Sequence, residues 1–166
     1  MPLLTQVRLK HTEPCWMAIL ERQGSSRYLA QAFETLFTWL ALQQLEAVGP
    51  PIAVFAHNPG APDDSGPLPS WGVQVQVPAP DQLRETPWSK VRVQPVAGAA
   101  MAAVLYRGDG AAITEAYQAL DTWIQDHGYR RTGPVQEVYL SATGTLITES
   151  VTEVRVPVAP TAEGVE

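Results

Sequence analysis

Residues 133–140 read GPVQEVYL, and eighty-four positions earlier residues 49–56 read GPPIAVFA. The shared Gly-Pro, the valines Val54 and Val138, and the aromatics Phe55 and Tyr139 mark one segment written twice. Moving outward keeps the offset of 84. Trp39 falls on Trp123, Met17 on Met101, Ala18 on Ala102, Gly24 on Gly108, Ala32 on Ala116, Leu36 on Leu120 and Thr38 on Thr122. Ten identities thus fill the 41 gapless positions from 17 to 57, where average composition gives roughly two or three. Conservative matches lie between them: Leu20/Val104, Leu29/Ile113, Phe33/Tyr117 and Leu40/Ile124. Farther on, Val77-Pro78 matches Val156-Pro157 at an offset of 79, which gives the first copy five extra residues (84 − 79) in its last hairpin loop. An internal duplication is the simplest account.

Each copy reads as strand, helix, strand, strand. Alternating segments open the copies at 7–9 and 16–20, and at 91–96 and 102–106. Helical stripes follow: Leu29, Phe33, Leu36 and Leu40 in copy one, Ile113, Tyr117, Leu120 and Ile124 in copy two. Ser25 or Ser26 is the expected cap of the first helix and Asp109 of the second. Gly49-Pro50 and Gly133-Pro134 stop further helix, with Gly128 ending the second one earlier. Strands at 52–56 and 71–77, then 135–140 and 151–156, close the units. The expected fold is α+β: a pseudo-twofold duplication of a strand–helix–strand–strand unit, with an antiparallel sheet and two helices on one face. One domain spans 1–158, with copy one at about 3–78 and copy two at about 90–158. Residues 58–70 are turn chemistry, residues 78–89 link the copies, and residues 159–166 form a flexible tail.

Composition narrows the function. A chain of 166 residues that is 45% hydrophobic can bury a core without disulfides or metals. The one cysteine, Cys15, has no partner within the chain, which suits a reducing compartment. Residues 1–14 carry Arg8, Lys10 and Glu13 and no apolar run, so no secretory signal is expected, and no stretch is apolar enough to span a membrane. A cytoplasmic protein is the expectation. The net charge of −6 and the lack of a Lys/Arg cluster argue against direct nucleic-acid binding.

Strand alternation locates the chemistry. Val135, Glu137 and Tyr139 share one face of their strand, and Ala53 and Phe55 share the matching face in copy one. If the aliphatic faces (Ile52, Val54, Ala56; Val138, Leu140) lie under the helices, Glu137, Tyr139, Ala53 and Phe55 line the opposite surface near the pseudo-twofold axis. Glu137 breaks the symmetry, because its counterpart is Ala53. A carboxylate among apolar surfaces is costly unless compensated. A lipophilic cation would supply charge, and Tyr139, Phe55 and Tyr106 would offer ring faces. The plainer alternative has Glu137 accepting a tyrosine hydrogen bond and tying the sheet together.

These residues carry a family resemblance. GPPIAVFAHN, AYQALDTWIQDHGY, GPVQEVYL and TEVRVPV resemble the GyrI-like domain, also called the AraC-type effector-binding domain, from about residue 7 to residue 158. The most telling element is E-x-Y-L, here Glu137-Val138-Tyr139-Leu140. The resemblance implies a duplicated fold and a cleft, with Glu137 deep inside, that takes amphipathic, often cationic, compounds. Members serve as sensor modules, as stand-alone proteins that protect against toxins, and in some cases as hydrolases of cyclopropane-containing compounds. Many relatives carry His-x-Gly before the second helix, whereas this chain has Tyr106-Arg107-Gly108. The first unit begins within ten residues of Met1, so no attached DNA-binding module is expected.

The favoured function is therefore capture of an amphipathic, hydrophobic or cationic molecule, for sensing or sequestration. The ligand-binding residues would be Glu137, Tyr139, Phe55, Ala53, Tyr106, Trp71 and Trp88. The alternative is hydrolysis of a reactive electrophile with Glu137 as general acid or base. No cofactor and no metal are expected, since a turn-rich loop explains His57, Asp63 and Asp64. Trp39 and Trp123 read as helix-face packing, His11 and His127 as lone surface histidines, and Cys15 as a strand thiol.

Overall fold

The computed structural model describes residues 3–56, 70–80, 90–107, 113–140 and 151–161. Copy one contributes β1 (Leu3–Leu4), β2 (Arg8–His11), β3 (Cys15–Gln23), a 3-10 turn (Ser26–Tyr28), α1 (Leu29–Leu42), β4 (Ile52–Phe55) and β5 (Ser70–Val77). Copy two contributes β6 (Arg92–Val96), β7 (Ala100–Arg107), α2 (Thr114–Asp126), β8 (Tyr129–Arg131), β9 (Val135–Tyr139) and β10 (Val151–Pro160). The strands form one antiparallel sheet in the order β1-β7-β10-β9-β4-β5-β3-β6, with β2 also on β7 and β8 on β10.

The helices form where apolar residues recur at helical spacing. Ala32, Leu36, Trp39 and Leu40 bury one face of α1, and Ala116, Tyr117, Leu120 and Ile124 bury one face of α2. Ser25 accepts from the Arg27 amide at 3.2 Å, so it caps the 3-10 turn that leads into α1, and Tyr28 at the N-cap itself makes no side-chain bond. Asp109 lies outside the described residues. Both helices end on a left-handed residue at equivalent positions, Gln44 (φ 56°) and Gly128 (φ 73°). In α1 the Leu45 amide reaches back to the Leu40 carbonyl at 2.9 Å, and the Gln44 amide to that of Ala41 at 3.1 Å. The first helix therefore stops well before Gly49-Pro50.

Strand registers reveal the duplication in three dimensions. At the sheet centre Ala53 pairs with Glu137, Ile52 with Val138 and Phe55 with Val135. Ala53 and Glu137 are each other's counterparts, so the pseudo-twofold axis passes through that pair. Ala18 pairs with Val75, and its counterpart Ala102 pairs with Val156. The last strands are thus related by an offset of 81, and copy one is three residues longer there (84 − 81) rather than five. A slip of two residues leaves every side chain on the same face, which is why the 79 offset looked consistent. β10 runs on to Pro160 through its pairing with β8, and residues 162–166 lie outside the described residues.

The opening strands are exchanged. Leu9 of β2 pairs with Ala102 of copy two, and Val93 of β6 pairs with Ala18 of copy one. Only residues 12–14 separate β2 from β3, and only 97–99 separate β6 from β7, although each pair lies at opposite ends of the sheet order. So few residues span little more than ten ångströms, or roughly 14 Å fully extended. The sheet must curl until its two edges approach, and the Thr12 amide donates to the Ala99 carbonyl at 2.9 Å across that corner.

The two faces are the reverse of the sequence expectation. Ala53, Phe55, Val135, Ala18, Val73 and Val154 join the main core with the residues of both helices. Ile52, Val138, Met17 and Ile19 form a second cluster on the helix-free face. Glu137 and Tyr139 therefore lie on the helix side. Aliphatic β-branched residues did not mark the helix side because the concave inner face of a curled sheet also excludes water: Ile52 is 4% exposed and Val138 3% with no helix over them.

Candidate functional site

The site grows from the central strand pair. α1 rests on β3 and β5, and α2 on β7, β8 and β10, so β4 and β9 run between the two helices. Strand alternation points Glu137 into that space, where it is 7% exposed. Its Oε1 accepts from the Tyr139 hydroxyl at 2.7 Å, and its Oε2 accepts from the Tyr117 hydroxyl of α2. The ion pairs of the described residues form elsewhere, at Glu153, Glu21 and Asp121. Two neutral phenols thus hold a buried carboxylate, each bond to a charged acceptor being worth about 1.5–3 kcal/mol.

The electrostatics follow from this arrangement. Burial pushes the Tyr117 and Tyr139 hydroxyls far above the ordinary tyrosine range, and the Glu137 carboxylate adds both its charge and its hydrogen bonds in the same direction. Both remain proton donors throughout the neutral range. Aromatic rings extend the site outward along α1. Phe33 meets the Tyr139 ring edge-on at 5.9 Å and 78°, and stacks on Phe37 at 6.3 Å. Phe37 is exposed, so a row of rings runs from solvent to the carboxylate.

The other expected residues divide. Ala53 sits directly opposite Glu137, and Phe55 is buried one alternation away on the same face. Tyr106 is 1% exposed within the main core. Trp71 is buried and its indole Nε1 donates to the Gly24 carbonyl at 3.2 Å, which ties β5 to the turn after β3. The hydroxyls that donate to Glu137 are those of Tyr117 and Tyr139. Trp88, His57, Asp63 and Asp64 lie outside the described residues. Among the described residues no group of three or more His, Cys, Asp or Glu is placed to hold a metal, and no helix is long and apolar enough to cross a membrane.

Tyr117 was missed by sequence reasoning, which placed it in the apolar stripe. The signal was its pairing with Phe33, since the two differ by one hydroxyl. Three such differences converge here: Tyr117 for Phe33, Glu137 for Ala53 and Tyr139 for Phe55. All three put the polar group in copy two.

Two hollows lie on the opposite, concave face. One of about 630 Å³ is lined by Ile19, Val54, Gln74, Lys90 and Arg92 among others. The second, of about 300 Å³, reaches Met17, Ile52, Met101, Gln136 and Arg155. Of its lining residues, Lys10 and Arg155 both pair with Glu153, at 3.0 Å and 3.5 Å, and Gln136 accepts from Arg155 Nε at 2.8 Å. Burial lowers the Arg155 pKa and Glu153 pulls it back up. At the Glu137 site the two tyrosine hydroxyls take one carboxylate oxygen each.

No protein-family profile matches the chain, and no curated protein matches it. Solved structures do. The C-terminal domain of EcmrR superposes with a TM-score of 0.75 at 16% identity, covering 93% of this chain and 98% of that one. A hydrolase encoded by lin2189 from Listeria innocua gives 0.67 at 11% identity over 93% and 92%. SAV2435, solved bound to tetraphenylphosphonium, gives 0.58 at 13% identity over 93% and 94%. At such identities the likeness establishes architecture: this chain has the fold of the GyrI-like effector-binding domains.

Proposed function

We propose that this chain captures an amphipathic organic cation between its two helices, with Glu137 as the counter-ion, in a sensing or sequestration role that includes protection from toxins. One observation carries the reading: a buried carboxylate with two neutral hydrogen-bond donors and no cation paired to it among the described residues. A cation that displaces one hydroxyl would gain the charge attraction that a phenol lacks. Phe33, Tyr139 and Phe37 would give it ring faces, each cation–π contact contributing about 0.5–2 kcal/mol. SAV2435 shares the fold and was solved with such a cation, which supports the class of ligand. The test is a tryptophan-fluorescence titration with tetraphenylphosphonium and with neutral triphenylphosphine oxide. Saturable binding of the cation alone supports the proposal, and equal binding of the neutral compound sinks it.

A hydrolytic reading gains from the same cluster. Glu137 and a tyrosine hydroxyl would form a base and acid pair within hydrogen-bond reach of each other. It requires turnover: consumption of a strained electrophile by wild type and not by Glu137→Gln. Binding without consumption would discard it.

A further inference from the structure

The concave face of the sheet, across from Glu137, has the opposite charge character. The hollow of about 630 Å³ falls in the size range of small-molecule pockets. Its floor includes Ile19 and Val54, and the floor continues into the apolar cluster of Met17, Ile52 and Val138. Gln74 lines both hollows, so they adjoin. Among the described residues the wall carries Arg22, Lys90 and Arg92 against one carboxylate, Glu21. These described residues leave an excess of two positive charges (3 − 1) in a chain whose net charge is −6.

The cations are unequally engaged. Arg92 donates to Glu21 at 2.7 Å and to Gln94 at 3.0 Å, which fixes its guanidinium at the wall. Among the described residues Arg22 donates to the Glu21 carbonyl, at 3.2 Å. Lys90 takes part in no ion pair among the described residues. An apolar floor beside surplus positive charge suits a molecule with an apolar body and an anionic head, the reverse of what Glu137 would accept.

We propose that this hollow is a second ligand site, selective for amphipathic organic anions, with Lys90 and Arg92 holding the anionic group and Ile19 and Val54 under the apolar body. It does not depend on the cation site. Field focusing in a concave, low-dielectric setting strengthens such charge selection.

The probe is anilinonaphthalene sulfonate, compared with N-phenylnaphthylamine, which has the same rings without the charge. The expected result is saturable fluorescence enhancement by the sulfonate and roughly tenfold or weaker binding of the neutral compound. Lys90→Gln/Arg92→Gln should weaken the sulfonate by a similar factor with the melting temperature kept. Val54→Phe, which fills the floor, should weaken both probes, and Glu137→Gln should change neither. Raising salt should weaken sulfonate binding to wild type, a readout that needs no variant. Absence of sulfonate binding overturns the proposal. So does equal binding of the two probes, insensitivity to salt, or loss on Glu137→Gln and not on the Lys90/Arg92 change.

Discussion

Around the pseudo-twofold axis copy one places Phe33, Ala53 and Phe55, and copy two places Tyr117, Glu137 and Tyr139. Helix and strand positions are shared and one carboxylate and two hydroxyls are added, while burial trades places: Phe33 is half-buried and Tyr117 buried, Phe55 buried and Tyr139 half-buried. The apolar trio is what a stable sheet–helix core calls for. The polar trio costs desolvation that its internal hydrogen bonds roughly offset. Copy one therefore shows what the position looks like when only stability matters. Copy two shows what is added where the proposed cation site would lie.

The comparison can be broken most forcefully by removing both hydroxyls. Tyr117→Phe/Tyr139→Phe leaves Glu137 buried without partners and should destabilise the fold by about 3–5 kcal/mol in urea unfolding. Adding Glu137→Ala, which rewrites copy two in the chemistry of copy one, should recover most of that loss. An unchanged double variant would mean that the carboxylate is not buried as a charge.

Alkaline titration sharpens the contrast with a smaller effect. The hydroxyls of Tyr117 and Tyr139 are raised above the unfolded value of 10.0. Both states hold these protons below pH 10, so stability is fully present there. Above it the unfolded chain loses them first, and stability falls as pH rises toward the folded values. The slope should be about 1.4 kcal/mol per tyrosine for each pH unit. Thermal melts at pH 9 to 11 should show that decline in wild type and a shallower one in the double Phe variant, scaled to its own neutral stability.

The smallest effect concerns the helix ends. Gln44 and Gly128 occupy the same left-handed position, and only glycine takes it without steric cost. Gln44→Gly should raise stability by about 0.5–1 kcal/mol, less the added freedom of the unfolded chain. A loss of stability would show that the Gln44 side chain contributes more than its backbone strain costs.

Much of this was legible in the residues. The offset of 84 located both helices and most of the strands, because a duplicated core repeats its apolar positions. Glu137 declared itself by standing where copy one has Ala53. The choice of face did not follow, because both faces of β4 are apolar and alternation alone cannot say which one a helix covers. The exchange of β2 and β6 was equally hidden, since strand partners far apart in sequence leave no local pattern. Tyr117 was obscured by its own ring, which satisfies the apolar stripe of α2 while its hydroxyl serves the strand beneath. Trp71 and Tyr106 drew notice as aromatics; both are buried in the main core, and Trp71 also lines the hollow of about 630 Å³.

The most direct test is calorimetric titration of tetraphenylphosphonium into wild type and Glu137→Gln, with unfolding curves to show that both are folded. Glutamine keeps the shape, its carbonyl accepting from one tyrosine hydroxyl and its amide donating to the other, so the main loss is the charge. The account predicts roughly tenfold weaker binding in the variant, about 1.4 kcal/mol. Equal affinity in the two proteins would contradict it.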